Sequence, residues 1–257
     1  MHALDNFALT GKAALVLGGS DGIGRQIALG MAQAGARVFP VGRSAAKVEA
    51  VAAELRATGQ DSGGYAADLT RPEEMDRVFA DAIAASGGLD ILVNSQGITI
   101  LKPAEEVTRA DFDAILATNL TSVFFACTTA GRHMLGRGDG AIVNIASLAA
   151  ERGMPLSSPY TVSKHGVLGL TRTLAIEWAT RGVRVNAISP GFFMTALNRE
   201  KMRPERKQAA LRRTPMARFG ELEELVGAAI YLASPAARFV TGQAIAVDGG
   251  FLAAGLD

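Results

Sequence analysis

Apolar and polar positions along the chain follow two alternating patterns. Short β-rich runs, several of them apolar on both faces, are separated by longer segments with helical spacing. Strands that are apolar on both faces are typical of parallel sheets, in which helical crossovers cover both sides. The predicted strands are AALVLG (13–18), RVFPVG (37–42), GGYAAD (63–68), LDILVN (89–94), GAIVNIA (140–146), VRVNAIS (183–189) and QAIAVDGG (243–250). The predicted helices cover about 22–34, 44–57, 71–86, 109–135, 158–180 and 221–233.

This order of elements predicts the fold class. Strands that alternate with helices indicate an α/β protein with a doubly wound parallel sheet of about seven strands and helices on both faces. The chain has no Pro/Ser-rich linker, no low-complexity tract and no sequence repeat beyond this alternation. We therefore expect one domain over residues 1–257.

Composition narrows the classes of function. The 257 residues carry 26 basic and 25 acidic side chains, a net charge of +1, which gives no electrostatic case for nucleic acid or an anionic membrane as partner. No targeting segment or run of 18 apolar residues is present, and the single Cys127 permits no intrachain disulfide, so we expect a cytoplasmic protein. Cys127 lies in an apolar run and is expected to fill the core. The three histidines are too scattered to propose a metal site.

A glycine-rich stretch, GGSDGIG, joins the first strand to the first helix. Glycines allow a tight turn and let a pyrophosphate approach the helix amino terminus, where free N–H groups and the helix dipole favour negative charge. An ordinary glycine-rich turn is the alternative, but the position between strand and helix favours dinucleotide binding. The candidate cofactor residues here are Gly18, Ser20, Asp21, Gly22, Ile23 and Gly24.

The end of the second strand is where the adenosine ribose of a dinucleotide is normally recognised. Gly42 supplies no carboxylate for the 2′-hydroxyl of NAD, whereas Arg43 could bind the 2′-phosphate of NADP, so NADP(H) is favoured over NAD(H). Two observations leave the choice open, because Asp21 could repel that phosphate and Arg43 could be a solvated surface cation. Asp68, followed by Leu69, could accept a hydrogen bond from adenine or could simply belong to the first turn of a helix.

Tyr160 and Lys164 are four residues apart in the predicted helix 158–180. Residues at this spacing share one helix face, so the phenol and the ammonium point the same way. The spacing alone fits either an exposed surface pair or a proton-transfer device.

Several motifs together indicate a family. GGSDGIG, DL at 68, NSQG at 94, TNL at 118, NIAS at 144, YTVSK at 160, ISPGFFMT at 188 and the closing TGQAIAVDGG occur in the order found in the single-domain short-chain dehydrogenase/reductases, which the chain resembles over nearly its whole length. The resemblance implies a Rossmann-like fold, a nicotinamide cofactor and a homotetramer or homodimer built on the helices that carry Asn119 and Tyr160. The catalytic residues it implies are Asn119, Ser147, Tyr160 and Lys164. The further cofactor residues it implies are Asn94, Gly97, Tyr160, Lys164, Pro190, Gly191 and Thr195.

The implied chemistry is hydride transfer between an alcohol and a ketone. Tyr160 would donate the proton, and the Lys164 ammonium is expected to lower the pKa of the phenol, which is about 10 when free. Ser147 would polarise the substrate oxygen, and Asn119 would support a water-linked proton relay to the lysine. Taken singly, each of these residues has an ordinary structural explanation.

The chain departs from the family pattern at two places. Leu17 stands where threonine is common, and NSQG replaces NNAG, so Ser95 and Gln96 do not match. We expect altered hydrogen bonds between the first and fourth strands, and Gln96 could crowd or contact the cofactor ribose.

The segment 191–218 departs from the strand–helix alternation and resembles the variable substrate lid of the family. Between Arg199 and Arg213 it has seven basic and two acidic residues, which indicates a solvated helix face or a lid that attracts an anionic substrate. Within the family, SPGFFMT, the stretch from RRTPMARFG to YLAS, and VDGGFLA most resemble gluconate 5-dehydrogenase and related sugar-acid or polyol dehydrogenases. The alternatives are a 3-oxoacyl-[acyl-carrier-protein] reductase and, in a different class, a non-catalytic dinucleotide-sensing regulator.

Overall fold

Seven parallel strands form one sheet at the centre of the protein. The computed structural model describes residues 3–59, 61–195 and 202–254. The sheet order is β3-β2-β1-β4-β5-β6-β7, and every neighbouring pair is parallel. The strands are β1 (Ala13–Leu17), β2 (Arg37–Gly42), β3 (Tyr65–Ala66), β4 (Ile91–Asn94), β5 (Gly140–Ile145), β6 (Val183–Pro190) and β7 (Ala244–Val247). The predicted fold class is therefore confirmed.

Eight α-helices of the described residues connect and cover these strands. They are α1 (Gly22–Gln33), α2 (Ala45–Arg56), α3 (Pro72–Ser86), α4 (Arg109–Leu116), α5 (Ser122–Arg137), α6 (Ser158–Trp178), α7 (Pro204–Arg213) and α8 (Val226–Ala233). The sequence signals for their starts are visible in several cases. Asp21 and Ser44 cap α1 and α2 through their side chains, and a capping box of Thr108 and Asp111 opens α4.

Apolar side chains on both faces of the sheet form two cores. One core packs side chains of α3, α5 and α6 against the strands, and the other packs side chains of α1, α2 and α8 against the opposite face. All positions of β1, β4 and β5 are buried, as a sheet covered on both sides requires. The continuous apolar runs of the sequence are explained by this double cover.

The direction of the sheet order reverses between β1 and β4. In a doubly wound sheet, the loops after two such strands diverge to opposite faces and leave a crevice at their carboxyl ends. Here β1 ends at Leu17 opposite Asn94, the last residue of β4. The glycine-rich loop and the segment 95–97 therefore border the same crevice.

The long helix that the sequence predicts over 109–135 is interrupted. A π-helical turn, Ala117–Thr121, separates α4 from α5. The whole helical stretch Arg109–Arg137 is long and apolar enough, by length and composition alone, to cross a membrane. Core helices pass the same test, and Val123, Ala126, Ala130 and Met134 of α5 belong to the core beside the sheet.

Three other boundaries differ from the sequence prediction. Strand β3 has only two ladder residues, Tyr65 and Ala66, because Gly63 and Gly64 precede it and the chain turns at Asp68. The helix predicted over 221–233 begins with the 3₁₀ turn Leu222–Leu225. Within the predicted lid segment, α7 covers Pro204–Arg213, whereas residues 196–201, including Arg199, lie outside the described residues.

Helix α5 offers a matched pair of glycines for testing the core packing. A Cβ added at Gly131 would lie 2.5 Å from Cη2 of the buried Trp178, whereas a Cβ at the exposed Gly136 would meet nothing within 4 Å. We expect Gly131→Ala to lower the free energy of unfolding by about 1–3 kcal/mol, because the indole has no room to move in a packed core.

The same substitution at Gly136 is the control. Gly136→Ala should raise the free energy of unfolding by about 0.5–1 kcal/mol, since alanine is the better helix former and no clash opposes it. Denaturant titration of the two variants measures both changes. Effects of the same sign would contradict the packing of α5 against α6.

Candidate active site

Several of the predicted site residues lie at the carboxyl ends of four neighbouring strands. Gly18 follows β1, Asn94 ends β4 and is followed by residues 95–97, Ser147 follows β5, and Pro190 is the last residue of β6. The crevice between β1 and β4 thus joins two regions, a glycine-rich loop on one side and a cluster of polar side chains on the other.

Two glycines of the glycine-rich loop lie where a side chain would collide with the backbone. Gly18 has φ +75°, and a Cβ there would lie 2.7 Å from the backbone nitrogen of Gln96. A Cβ at Gly24 would collide with the carbonyl oxygen of Gly18, and Gly22 also has a positive φ of +50°. Ile23 packs against the core behind the loop, which fixes the first turn of α1. The backbone is therefore open to close approach at a helix amino terminus, which fits a pyrophosphate.

The predicted adenosine end of this loop carries exposed charges. Asp21 accepts a hydrogen bond from Gly22 N at 2.8 Å and pairs with Lys47 Nζ at 2.5 Å. The hydrogen bond from Lys47 holds the pKa of Asp21 below its usual value. Ser20 lies against Gly42, since a Cβ at Gly42 would run into Ser20 Oγ. Arg43 follows Gly42 and is exposed.

Asp68 forms a turn at the end of β3. Its Oδ1 accepts hydrogen bonds from Thr70 Oγ1 at 2.7 Å and Thr70 N at 3.0 Å, and these bonds are the main cause of its lowered pKa. Arg43 lowers that pKa further through its charge, so Arg43 and Asp68 flank the same region. Leu69 is buried behind them.

Asn94 and Gln96 direct their side chains into the protein. Asn94 Nδ2 donates to Asn144 Oδ1 at 2.8 Å and to Cys127 Sγ at 3.3 Å, and Gln96 Nε2 donates to Ser122 Oγ on α5 at 3.1 Å. The Gln96 side chain therefore contacts α5, and its crowding of or contact with a cofactor ribose stays a prediction. A backbone hydrogen bond joins the ends of β1 and β4, since Ser95 N donates to the carbonyl of Leu17 at 2.9 Å.

Cys127 is part of the core, as predicted. It is fully buried beside Asn94 and Asn144, and burial raises the pKa of its thiol to about 12. Such a thiol is inert at neutral pH.

Ser147 and Tyr160 come together at the end of β5. Ser147 caps a 3₁₀ turn, with its Oγ accepting a hydrogen bond from Ala149 N at 3.1 Å. Tyr160 lies in the first turn of α6, and its hydroxyl is near the Ser147 side chain. Burial raises the pKa of Tyr160, and the neighbouring Ser147 hydroxyl opposes the rise only partly.

Lys164 lies one turn further along α6, facing the same way. Its Nζ lies 5.8 Å from the centre of the Tyr160 ring and donates to the carbonyl of Ile145 at 2.7 Å. Burial lowers the pKa of Lys164 to about 8. The net shift of the Tyr160 pKa is upward because burial opposes charge on both groups, and a lowering of that pKa by Lys164 stays a prediction.

Asn119 is enclosed in the π-helical turn. Its Oδ1 accepts a hydrogen bond from Ile98 N at 2.8 Å, and its Nδ2 donates to the Ile98 carbonyl at 2.9 Å and to Ser163 Oγ at 3.2 Å. A Cβ on Gly97 would lie 3.5 Å from Asn119 Oδ1 and 3.8 Å from Lys164 Nζ. Gly97, Asn119 and Lys164 therefore meet at the crevice.

The segment after β6 approaches the crevice from the far side. Gly191 N donates to the Val247 carbonyl at 2.9 Å, which ties the segment to β7 directly after Pro190. Thr195 Cγ2 lies 3.9 Å from where a Cβ of Gly22 would be, so it borders the glycine-rich loop. A cavity of about 350 Å³ opens nearby between Phe192, Met216 and Gly249, and none of the four catalytic candidates is among the described residues that line it.

Sequence reasoning missed three residues of this region. Ser163 links Asn119 to the Tyr160 carbonyl, to which its Oγ donates at 2.7 Å, and its place inside YTVSK was the available signal. Glu151 accepts a hydrogen bond from the buried Ser189 at 3.1 Å beside the 3₁₀ turn. Lys47 pairs with Asp21 across 26 residues of sequence, and no local pattern predicts such a pair.

Comparison with known proteins agrees with this arrangement. A family model described as enoyl-(acyl carrier protein) reductase matches residues 18–252. The gluconate 5-dehydrogenase of Gluconobacter oxydans (strain 621H) is 40% identical over 251 residues, which are 96% of each chain. The D-threitol dehydrogenase of Mycolicibacterium smegmatis is 43% identical over 250 residues, 96% of this chain and 95% of the relative.

A solved structure with bound ligands extends the comparison. The gluconate 5-dehydrogenase of Burkholderia cenocepacia J2315, in complex with NADP and tartrate, superposes with a TM-score of 0.94 at 37% identity, covering 99% of this chain and 100% of that one. Family model, relatives and structure cover nearly the whole chain. The chain belongs to the short-chain dehydrogenase/reductase family of NAD(P)-dependent oxidoreductases.

Proposed function

We propose that this enzyme interconverts a secondary alcohol and a ketone on a sugar acid or polyol, with NADP(H) as the preferred cofactor. The observation that carries the proposal is the meeting of Ser147, Tyr160 and Lys164 with Gly97 and Asn119 at the crevice. The gluconate and threitol dehydrogenases named above support the substrate class.

In this mechanism, the nicotinamide supplies or accepts the hydride. Ser147 and Tyr160, whose side chains lie near each other, bind the carbonyl oxygen of the substrate between their hydroxyl groups. Tyr160 then donates its proton as negative charge develops on that oxygen. Burial keeps the phenol protonated at neutral pH, which suits it as the acid for ketone reduction.

Lys164 and Asn119 support the proton transfer from behind. A lysine pKa of about 8 lies close to neutral pH, so this ammonium releases and regains a proton more readily than an exposed lysine. Asn119 fixes the backbone of residue 98 and lies beside Lys164, which fits a water-linked relay from the lysine. Lys164 also provides a cation for the nicotinamide ribose.

The adenosine end supports a preference for NADP. Gly42 offers no carboxylate to the ribose, and the exposed Arg43 stands next to it, where a 2′-phosphate would need a cation. The Burkholderia cenocepacia relative, which contains NADP, has the same fold over nearly its whole length.

The basic helix α7 supports a carboxylate substrate. Among the described residues, Arg203 directly precedes the helix, Arg206 and Lys207 lie in its first half, and Arg212 and Arg213 end it. Arg206 is half-buried, and desolvation lowers the pKa of its guanidinium. The negative charge of an anionic substrate next to Arg206 would offset the desolvation cost of its guanidinium.

The second candidate is reduction of a 3-oxoacyl group on an acyl carrier protein. The family model carries an acyl-carrier-protein reductase description, and a basic helix also suits an acidic carrier. The presence of Tyr160 and Lys164 argues against a non-catalytic regulator.

We also propose that the enzyme is a cytoplasmic homotetramer. Helices α5 and α6 expose Phe125 and Ile176, with 52% and 80% of their surfaces accessible, although both helices otherwise serve the core. Exposed apolar side chains on two adjacent helices fit an interface between copies of the chain.

The role of Tyr160 as proton donor can be tested by removing its hydroxyl oxygen. Tyr160→Phe keeps the ring and removes the hydroxyl, so we expect kcat for ketone reduction to fall by about 10²–10⁴ while NADPH affinity stays within about threefold. Steady-state rates and fluorescence titration with NADPH measure the two quantities.

The matched control for this variant is Tyr231→Phe on α8, which leaves the crevice untouched. It should keep full activity. Turnover of Tyr160→Phe at the parental rate would remove Tyr160 from the mechanism.

The substrate is tested with a panel of keto sugar acids, neutral ketoses and a 3-oxoacyl thioester, each with NADPH and NADH. We expect the highest kcat/KM for a keto sugar acid with NADPH. Arg206→Gln should then lower kcat/KM for the acid about tenfold, or about 1.4 kcal/mol, and leave a neutral ketose within about twofold.

Arg212→Gln, at the exposed end of the same helix, is the control for the loss of a positive charge. A panel in which the thioester is preferred would support the second candidate instead. If no substrate of the panel is reduced although the protein binds NADPH, the result would favour the non-catalytic regulator.

The assembly is tested on a single preparation. We expect the protein in the soluble fraction of a lysate, with the mass of a tetramer by light scattering. Ile176→Glu should lower that mass, because a carboxylate cannot be buried unpaired at an apolar interface. A monomeric parent protein would contradict the proposal.

A further inference from the structure

Two loops meet at the adenosine end of the crevice and exchange a charged contact. The glycine-rich loop contributes Ser20 and Asp21, and the end of β2 with the loop after it contributes Gly42, Arg43 and Ser44. Lys47, in the first turn of α2, extends its Nζ to within 2.5 Å of Asp21 Oδ2. The ion pair therefore spans the two loops between which a ribose 2′-substituent would lie.

Helix stability does not explain a lysine at this position. Ser44 caps α2 by accepting a hydrogen bond from Lys47 N at 3.4 Å, so Lys47 lies in the first turn. The partial positive charge of a helix amino terminus disfavours a cation there and favours an anion. The lysine is explained instead by its ion pair with Asp21 of the glycine-rich loop.

The charged residues around Lys47 lie near groups of opposite sign. Asp21 faces Lys47, Asp68 lies near Arg43, and Arg25 pairs with Glu54 at 2.5 Å. Asp21 and Lys47 are each about 60% exposed, so their contact is screened and costs little to open. A dianionic group entering between Arg43 and the start of α2 would compete with Asp21 for Lys47.

We propose that Lys47 is a second specificity-determining residue for the 2′-phosphate of NADP, acting beside Arg43, and that Asp21 is the counter-ion that Lys47 exchanges for this phosphate. The inference rests on the proposed preference for NADP. It also accounts for an acidic residue in the phosphate loop of a chain without an acid at the end of β2.

The test uses two adenosine fragments that differ only in the 2′-phosphate. Adenosine 2′,5′-bisphosphate and adenosine 5′-monophosphate are titrated calorimetrically at constant ionic strength, so that no turnover is involved. We expect Lys47→Gln to weaken binding of the bisphosphate about tenfold and to leave the monophosphate within about twofold.

Arg56→Gln is the matched control. Arg56 lies on the same helix in an exposed ion pair with Glu49 at 2.5 Å, but at the far end from the loops. Its loss should change both affinities by less than about twofold. Equal effects of Lys47→Gln and Arg56→Gln would reduce the role of Lys47 to long-range charge and overturn the proposal.

Asp21→Asn distinguishes two roles of Lys47, which are direct contact with the 2′-phosphate and neutralisation of the Asp21 carboxylate. Asparagine still caps α1, so the fold is preserved, and removal of the competing carboxylate should tighten bisphosphate binding severalfold. In the Asp21→Asn background, Lys47→Gln should still weaken that binding about tenfold. No effect in that background would mean that Lys47 only masks Asp21, and the proposal would fall.

The parent protein distinguishes this inference from the proposed function. If it binds both fragments equally, the NADP preference and the inference fall together. If it prefers the bisphosphate and Lys47→Gln keeps that preference, the inference alone falls and Arg43 carries the selectivity.

Discussion

The double hydrogen bond between the Asn119 side chain and the backbone of Ile98 holds the catalytic end of the crevice together. Asn119 is completely buried, so an amide left without these partners would cost about 1–3 kcal/mol. The bond fixes the segment after β4 against the π-helical turn, and it places Gly97 next to Lys164. Through Ser163, the same amide reaches the first turns of α6 that carry Tyr160 and Lys164. One side chain therefore sets the relative position of three elements.

Burial, rather than attraction between Tyr160 and Lys164, sets the protonation of the catalytic pair. Both groups are shifted toward their neutral forms, the phenol upward and the lysine to a pKa of about 8. Below pH 8 the buried Lys164 is charged in the folded protein at a cost in stability, a cost that declines as pH rises toward the unfolded value of 10.5. A stability cost of this kind is typical of a functional site, since an apolar residue at position 164 would not carry a buried charge.

The sequence predicts the parts of the structure that depend on local pattern. The two-sided apolar strands, the glycine turn before α1 and the shared face of Tyr160 and Lys164 all follow from spacing within a few residues. The π-helical turn does not, because the apolar spacing runs on from α4 into α5 and the turn is stabilised by Ile98, far along the chain. The raised pKa of Tyr160 and the pairing of Lys47 with Asp21 also depend on tertiary burial and contact.

The two ends of the crevice use charge in opposite ways. At the adenosine end, Asp21 and Lys47 are solvated and already paired, so either can change partner at little cost. At the catalytic end, Lys164 is enclosed and bonded to the carbonyl of Ile145, so its position is fixed before any substrate arrives. Cofactor choice is an affinity difference and can be made by exchanging weak contacts. Proton transfer requires groups held in place without reorganisation, which only the buried end provides.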